Sequence, residues 1–289
     1  MIVSSLTCHA HVNMAITCLD SVRRCCQDDV TFQIHDDGSL TGEDVNRLEA
    51  HLSPCRIIRR DEADERLMGI LRKYPALRRL RNTYPPALKL FDGPLLCEED
   101  LYRFCDSDVL FLRLAGNAFQ LPDVDGVNAL FMQDRKNGYS LRSWQKVMSR
   151  RVVLPEQVNV GLITFDLDSY NPDYLHWFVT RKGHRGIPWV IEQTAWAALG
   201  KRVGCRTYDP QQVRVMRENE DNGGLVAGHF TARTRHLLPH FAEKSQRLRQ
   251  AGEPVMLRTV VPGECTALDL ARYELRRLYD RVCDGRYHV

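Results

Sequence analysis

Two acidic residues separated by one position, Asp106 and Asp108, are the strongest chemical signal in this chain. They follow the apolar segment Leu101–Cys105 and precede a second apolar segment, Val109–Leu112. Side chains at positions i and i+2 of a strand lie on the same side, so a strand that ends here directs both carboxylates toward one point. Carboxylate oxygens suit Mg²⁺ or Mn²⁺, and the remaining coordination positions of the ion suit a diphosphate. A lone Asp-x-Asp is also typical of a solvated turn, so the neighbouring sequence elements are needed to distinguish a metal site from a turn.

The first hundred residues alternate strand and helix patterns, which predicts an α/β fold with a mostly parallel sheet flanked by helices on both faces. Predicted strands cover residues 2–6, 30–35, 55–59 and 101–105, and predicted helices cover residues 13–26, 61–74 and a stretch near 88–91. Asn13 is the expected cap of the first helix, Thr41 and Asp44 predict a capping box, and Pro75 is expected to end the helix at 61–74. Open α/β sheets bind ligands at the edge where parallel strands end.

The second half of the chain is less regular. Strands are predicted at residues 129–133, 160–165 and 225–229, and helices at residues 172–181, 189–199, 237–250 and 267–283. The strand at 225–229 is expected to reach back to the two acids. No repeat or linker divides the chain, so we expect one domain with a helical C-terminal tail.

Composition excludes several classes of protein. A formal charge of +3 over 289 residues is too small to indicate nucleic-acid binding. No uninterrupted apolar run reaches the length of a membrane span, and the first residues indicate a strand, not a secretory signal. We therefore expect a cytoplasmic protein whose ten cysteines are reduced thiols.

The order of motifs resembles the GT-A nucleotide-sugar glycosyltransferases over roughly residues 1–236. Asp36-Asp37-Gly38-Ser39 follows the second predicted strand, and Asp106-Ser107-Asp108 follows the fourth. The later motifs are most similar to the retaining family 8 glycosyltransferases: Lys89 before the acids, Asn159-Val160-Gly161, Glu192-Gln193, and the segment from His229 to Arg235. The resemblance implies a catalytic domain at residues 1–236, with residues 237–289 as a helical extension packed on it.

The sequence departs from the family 8 pattern at several positions. Asp-Asp-Gly-Ser after the second strand is more typical of inverting family 2 enzymes, and Glu192 stands where family 8 usually has Asp. Ala232 replaces a Gly, and His236-Leu237 replace Pro-Trp. These departures affect the predicted stereochemistry more than the predicted fold.

The resemblance implies a metal site made by Asp106, Asp108 and His229, with Asp108 counted among the catalytic residues. Asp106 binds the ion or a ribose hydroxyl in this interpretation. An imidazole ligand favours Mn²⁺ over Mg²⁺, although a histidine at such a position is also typical of a satisfied core residue. Arg235 is expected to neutralise the donor phosphates by a two-point contact, with Arg233 as a weaker candidate.

Other predicted donor contacts come from both halves of the chain. Asp37, with Asp36 beside it, is expected to hold the nucleoside, and an Asx turn at Gly38 is the structural alternative. Thr7, His9 and His11 are weaker candidates near the base. Lys89 is expected near the phosphates or the sugar, and an exposed helix lysine is its alternative.

Amide side chains suit sugar hydroxyls, so Asn159 and Gln193 are the predicted sugar contacts. In a retaining enzyme Gln193 supports a short-lived oxocarbenium-like species. In an inverting enzyme Glu192 is the predicted general base. The later motifs favour retention.

The predicted function is transfer of a sugar, with a UDP-linked donor preferred, to an acceptor that the sequence does not identify. A sugar-phosphate nucleotidyltransferase is disfavoured because the loop at residues 7–13 has neither Gly nor Lys/Arg to hold a triphosphate. A non-catalytic nucleotide-sugar binding protein on the same fold is the second alternative. The C-terminal arginines at positions 272, 276, 277 and 281 predict a solvated helix face, with contact to an anionic membrane as the alternative.

Overall fold

The computed structural model describes residues 1–148, 152–182, 190–218, 220, 223–249 and 252–284. The strands are β1 (Ile2–Thr7), β2 (Thr31–Asp36), β3 (Cys55–Ile58), β4 (Leu101–Cys105), β5 (Val109–Phe111), β6 (Ala129–Gln133), β7 (Val158–Asp166), β8 (Cys205–Tyr208), β9 (Val213–Val215), β10 (Ala227–His229) and β11 (Thr259–Val260). The helices are α1 (Val12–Cys25), α2 (Gly42–Leu52), α3 (Arg60–Leu71), α4 (Pro75–Thr83), α5 (Leu88–Leu96), α6 (Ser143–Met148), α7 (Pro172–Lys182), α8 (Ile191–Val203), α9 (Leu238–Arg249) and α10 (Ala267–Asp284). The predicted strand–helix alternation of the first hundred residues is confirmed.

All of these strands form one mixed, mostly parallel sheet with the central order β3-β2-β1-β4-β7-β6-β9-β10-β5. The first four strands in that order run parallel, and β7 runs antiparallel to both β4 and β6. Because β4 and β6 therefore run in the same direction, their carboxyl ends and the amino end of β7 lie at one edge of the sheet. The predicted site residues Asp106, which follows β4, and Asn159, near the start of β7, lie at this edge.

Alternate residues of the central strands enter different buried clusters. Phe104 of β4 and Phe131 of β6 belong to one cluster, with α5 and α8. Cys105 and Leu130, their neighbours in sequence, belong to a second cluster, with α1 and α2. Since successive side chains of a strand point to opposite faces, the sheet has an apolar layer on each side. Two helical layers thus hold the strand ends in a fixed arrangement.

Helix boundaries differ from the predictions at two places. Asn13 lies inside α1, whose N-cap position is His11, so it is not the cap. Pro75 does not end a helix that began at residue 61; α3 ends at Leu71, and Pro75 starts α4, where its missing N–H costs nothing. The capping box of Thr41 and Asp44 at the start of α2 is confirmed in both directions.

The helix that carries Lys89, α5, is anchored by a buried ion pair. Arg81 of α4 donates from Nε and Nη2 to the two carboxylate oxygens of Asp92, both at 2.7 Å. Each side chain is 3% exposed. A paired fork of this kind satisfies both buried charges and fixes α5 against α4. None of the nine cysteines whose side chains the structure describes forms a disulfide, and Cys18, Cys25, Cys105 and Cys265 among them are buried.

Candidate functional site

The two acids lie in the turn that joins β4 to β5. The backbone N–H of Asp106 donates to the carbonyl of Gly161 at 2.8 Å, and the N–H of Val109 donates to the carbonyl of Asp106 at 3.1 Å. The chain therefore leaves the extended conformation after Cys105, which corrects the expectation that strand periodicity aligns the two carboxylates. A tight turn, not a continuing strand, brings Asp106 and Asp108 together.

His229 reaches the acids because β10 pairs with β5. In this antiparallel pair His229 lies opposite Val109, and the N–H of Phe230 donates to the carbonyl of Asp108 at 2.8 Å. His229 Nε2 is 3.0 Å from Asp108 Oδ1 and 3.8 Å from Asp106 Oδ2. One ligand atom from each of the three residues lies within 4.8 Å of the others. The sequence expectation that a distant strand returns a histidine to the acids is confirmed.

The Asn159-Val160-Gly161 segment of β7 supports the histidine. Asn159 Oδ1 is 3.0 Å from His229 Nδ1 and also accepts the N–H of Gly161 at 2.9 Å. A proton on Nδ1 that donates to this oxygen leaves Nε2 facing the acids. A Cβ atom at position 161 would lie 2.6 Å from His229 Nδ1, so only glycine admits the imidazole here. Asn159 thus orients the ring, and Gly161 makes room for it.

Arg235 contacts the second oxygen of Asp108. Its Nε and Nη2 donate to Asp108 Oδ2 at 3.1 and 2.8 Å, and its Nη1 is 3.0 Å from His11 Nε2. Arg235 lies on the short segment after β10, and its side chain is 36% exposed. Arg235 and His229 therefore contact different oxygens of Asp108.

Lys89 lies buried between two acids. Its Nζ donates to Asp106 Oδ1 and Oδ2 at 3.0 and 3.1 Å and to the carbonyl of Val160 at 3.3 Å. Glu192 Oε1 lies 3.3 Å from the same ammonium. The alternative of an exposed helix lysine is wrong, because the side chain is only 7% exposed. Lys89 therefore compensates the charge of Asp106 and Glu192.

Burial and neighbouring charges shift the pKa values of these groups in different directions. Burial raises the pKa of Asp106 against the opposing effects of Lys89 and His229. Burial also acts to raise the pKa of Asp108, but His229 and Arg235 outweigh it and hold that pKa well below its usual range. Burial raises the pKa of Glu192 to about 7 despite Lys89. Asp108 is therefore the firmly ionised carboxylate of the site, whereas the ionisation of Asp106 and Glu192 depends on the neighbouring ammonium of Lys89.

Of the two predicted nucleoside contacts, only Asp37 lines the cleft. Asp36 lies outside the cleft lining and is 3% exposed. Its Oδ1 accepts the N–H groups of Gly38 and Leu40 at 2.8 and 3.1 Å, and its Oδ2 is 3.4 Å from Arg59 Nε. Gly38 has φ 103, as the Asx-turn alternative requires. The structure therefore does not bring Asp36 to the other predicted residues; its carboxylate holds the turn that presents Asp37.

Helix α8 supplies two of the predicted residues from its first turn. Glu192 and Gln193 both line the cleft, and Gln193 Nε2 donates to the carbonyl of Gly138 at 3.0 Å. The predicted helix at 189–199 begins later, at Ile191, and Trp189 lies outside the described residues. The carboxylate of Glu192 thus pairs with Lys89, while the adjacent amide of Gln193 is held by the carbonyl of Gly138.

One cleft, with a volume of about 650 Å³, is lined by all of the main predicted site residues except Asp36: Asp37, Lys89, Asp106, Asp108, Asn159, Glu192, Gln193, His229 and Arg235. Thr7, Cys8 and His11 from the loop after β1 also line it. His9 does not, because its Nδ1 is 2.6 Å from Asp44 Oδ2 and its side chain is 63% exposed. The cleft thus has the size of a small-molecule site and opens at the edge of the sheet where β1, β4 and β6 end.

The residues of the cleft wall that sequence reasoning missed include three with chemically active side chains, Asp134, Lys136 and Tyr273. Asp134 follows the last residue of β6, so the rule that strands of one direction present ligands at their carboxyl ends could have identified it. Burial raises the pKa of Asp134, and a side-chain hydrogen bond joins it to Asn159. Tyr273 belongs to α10, and Lys136 Nζ lies 5.8 Å from the centroid of its ring. No local pattern marks Tyr273, because only the packing of the C-terminal helix brings it to the cleft.

No protein-family model and no curated protein sequence matches the chain. Solved structures do match. The structure of the galactosyltransferase LgtC in complex with donor and acceptor sugar analogs aligns with 88% of this chain and 98% of its own, at 12% identity and a TM-score of 0.57. The apo structure of the bifunctional glycosyltransferase WbbM aligns with 87% of this chain at 11% identity and a TM-score of 0.55.

The matched chains differ in length from this one. This chain spans 52% of WbbM and 62% of the apo glycosyltransferase GlyE of Streptococcus pneumoniae TIGR4, which aligns with 85% of this chain at 11% identity and a TM-score of 0.52. Likeness at such low identity establishes a shared fold. The predicted fold class is confirmed: the chain has the GT-A glycosyltransferase fold, with a C-terminal helix.

Proposed function

We propose that this protein is a metal-dependent glycosyltransferase that moves a sugar from a nucleoside-diphosphate sugar, preferably UDP-linked, to an acceptor with retention of anomeric configuration. The observation that carries this proposal is the convergence of Asp106, Asp108 and His229 at the ligand-binding edge of the sheet. The GT-A glycosyltransferase fold supports it. Fold alone does not determine activity, and the side chains of the site are what assign it.

The residues present fit a divalent cation. Two carboxylates and one imidazole offer the donor set that Mn²⁺ accepts more readily than Mg²⁺, and their ligand atoms already lie within 4.8 Å of one another. Asn159 Oδ1 contacts His229 Nδ1, and such a hydrogen bond is what orients a metal-binding imidazole in other metal sites. A bound ion would neutralise the charge that develops on the departing nucleoside diphosphate.

Three further residues are assigned to the donor in this proposal. Asp37 contacts the nucleoside from the turn after β2, where it lines the cleft. Arg235 contacts the diphosphate, because a guanidinium that lines the cleft and is 36% exposed can turn from Asp108 to phosphate oxygens. Lys89 acts on the donor through Asp106, whose two oxygens it holds.

Retention is proposed because the amide of Gln193 lines the cleft and is held by the carbonyl of Gly138, whereas the neighbouring carboxylate of Glu192 is not free. Glu192 is 5% exposed and its carboxylate pairs with Lys89, so it is poorly placed to take a proton from an acceptor hydroxyl. Asn159 and Gln193 offer amide groups for sugar hydroxyls. Nuclear magnetic resonance of the initial product tests this assignment, and inversion at the anomeric carbon would transfer the role of base to Glu192.

Nucleotide binding tests the proposal most directly. Thermal unfolding is measured with each nucleoside diphosphate, with and without Mn²⁺. We expect stabilisation by UDP that requires Mn²⁺, because a ligand that binds only the folded state raises the melting temperature. Asp108→Asn should abolish the Mn²⁺-dependent part. Asp168→Asn, at an exposed acid far along the chain from the motif, is the matched control and should behave as wild type.

Activity measurements separate the proposal from its alternatives. Release of UDP from a UDP-sugar that depends on Mn²⁺ and on Asp108 supports a glycosyltransferase. Incorporation of label from a nucleoside triphosphate into a sugar phosphate would instead indicate a nucleotidyltransferase. Tight UDP-sugar binding with no turnover across acceptor classes would indicate a binding protein.

A further inference from the structure

Two neighbouring helices, α6 and α10, carry an unusual amount of exposed apolar surface. Helix α10 packs against α6, and Glu274 of α10 accepts the N–H of Ser143 at 2.8 Å. The exposed apolar side chains of the pair are Trp144 (50%), Val147 (68%), Met148 (81%), Leu268 (59%), Leu275 (66%), Leu278 (55%) and Tyr279 (64%). We name this surface the α6/α10 apolar surface. Single exposed apolar residues need no explanation, but a concentration on two touching helices does.

The apolar side chains of α10 face outward in a regular pattern. At 100° per residue, positions 268, 275 and 279 fall on one face of the helix. The opposite face carries Leu270 and Tyr273, which are buried against the domain at 1% and 6% exposure. Helix α10 is therefore apolar on both sides, and only the inner side has a partner within the described structure. This finding differs from the solvated polar face that its arginines predicted.

Cationic side chains lie along the outward face of α10. Arg272 is 70% exposed and 3.7 Å from Asp269, and Arg276 is also exposed. Both fall within one quarter turn of the face formed by Leu268, Leu275 and Tyr279. Arginine and tyrosine combine an apolar stem with a polar end, which suits the boundary between lipid chains and headgroups.

We propose that the α6/α10 apolar surface docks on an anionic lipid bilayer, with α10 lying in the plane of the interface. The positive charge of the arginines beside this surface favours an anionic lipid bilayer, and not a second copy of this chain, as its partner. In a two-fold contact the same patch faces itself, so arginines of one copy would approach arginines of the other. Anionic headgroups instead complement Arg272 and Arg276 while the apolar side chains enter the acyl region. Within the described residues no helix is long and apolar enough to cross a membrane, so the contact is peripheral.

The docking surface adjoins the cleft. Tyr273, on the inner side of α10, lines the cleft that also contains Asp106, Asp108 and Gln193. A bilayer in contact with the outer side of α10 is separated from this wall of the cleft by about one helix diameter, roughly 10 Å. Docking would thus set the orientation of the cleft relative to the membrane, whichever acceptor the protein uses.

Vesicle flotation of the intact chain tests the proposal, and it requires neither a nucleotide nor an activity measurement. One set of vesicles contains phosphatidylcholine alone, and the other contains phosphatidylglycerol as well. We expect flotation with the anionic vesicles that decreases as salt is added. Leu275→Ser/Tyr279→Ser should reduce the partition coefficient at least about tenfold, since each buried apolar side chain contributes to insertion. Arg272→Gln/Arg276→Gln should reduce it by about fivefold per arginine at low salt.

Controls make the outcome decisive. Met68→Gln and Ile70→Gln remove exposed apolar side chains of α3, 42% and 39% exposed, and should leave flotation unchanged. All substitutions are at exposed sites, and unchanged melting temperatures will confirm folding. The proposal is overturned if neither vesicle floats the protein, or if the α10 variant floats like wild type. Concentration-dependent dimers that Leu275→Ser/Tyr279→Ser abolishes, without vesicle binding, would identify a second copy as the partner.

Discussion

Arg235 and Asp108 form a two-point contact on a single carboxylate oxygen. Nε and Nη2 of the guanidinium donate to Asp108 Oδ2 at 3.1 and 2.8 Å, while Asp108 Oδ1 is 3.0 Å from His229 Nε2. A cation bound by Asp108 therefore competes with Arg235, whereas a diphosphate offers the guanidinium an alternative partner. Arg235 would thus couple metal binding to nucleotide binding.

Arg235→Gln should tighten Mn²⁺ binding in the absence of nucleotide and weaken UDP binding in the presence of Mn²⁺. The first effect follows from removal of a competing cation, and the second from loss of a phosphate contact. We expect each change to be about tenfold, because a partly exposed charge-assisted contact contributes on the order of 1.5 kcal/mol. Isothermal titration calorimetry with Mn²⁺ alone, and with UDP at saturating Mn²⁺, measures both.

Arg233→Gln is the matched control for this prediction. Arg233 also lines the cleft, two residues from Arg235, and has the same formal charge. Its replacement should leave the affinity for Mn²⁺ alone unchanged. If Arg235→Gln weakens Mn²⁺ binding, the guanidinium supports the metal site and does not compete with the ion.

The sequence was sufficient to predict the fold because its strands and helices are encoded locally. The segment at residues 129–133 and the capping box at Thr41 are found where the sequence placed them. Asp106, Asp108 and His229 were found because each follows or ends an apolar segment, and the ends of such segments meet at one sheet edge. Apolar segments in the sequence therefore identify well the polar side chains that lie at the ends of strands.

The remaining site features depend on contacts that no local pattern encodes. Asp36 and Asp37 are adjacent in sequence and each accepts a backbone N–H of the turn at Gly38, yet only Asp37 lines the cleft. Tyr273 enters the cleft only because α10 packs back against α6. The outward apolar face of α10 was likewise obscured, because an amphipathic pattern does not say which face is buried.

Gly161→Ala should weaken Mn²⁺ binding by about tenfold, comparable to loss of a residue that orients a metal-bound histidine. A Cβ atom at this position would lie 2.6 Å from His229 Nδ1 and 3.0 Å from Asn159 Oδ1, so the imidazole must move. Calorimetric titration with Mn²⁺ measures the effect. Gly69→Ala is the control, since a Cβ there meets nothing within 4 Å. Equal Mn²⁺ affinities in Gly161→Ala and wild type would mean that His229 is not a ligand.

Lys89→Met should lower the free energy of unfolding by about 3–5 kcal/mol at pH 8, because it leaves buried acids without their cation. Lys89 Nζ lies 3.0 Å from Asp106 Oδ1 and 3.3 Å from Glu192 Oε1. Adding Glu192→Gln should restore part of the loss, since an amide needs no counter-charge. Urea unfolding of the wild type, both single variants and the double variant gives the coupling energy. Additive effects would show that the pair does not interact.

His35→Asn should make stability less sensitive to acid. Burial, with a smaller effect from Arg66, Arg56 and Arg81, lowers the pKa of His35 from 6.5 to about 3. The unfolded chain therefore takes up a proton near pH 6.5 while the folded chain does not. The stabilising contribution is complete above pH 6.5 and is lost progressively as pH falls toward 3.

Between pH 7 and pH 5 the wild type should lose about 2 kcal/mol more than His35→Asn, at about 1.4 kcal/mol for each pH unit below 6.5. Urea unfolding at both pH values measures this difference. Any pH-independent change that the substitution makes to the free energy of unfolding cancels in the comparison. His51→Asn, at an exposed histidine of α2, should retain the pH dependence of the wild type. Because only a histidine that stays neutral in the folded chain produces this loss, parallel pH profiles for wild type and His35→Asn would mean that His35 becomes protonated in the native state.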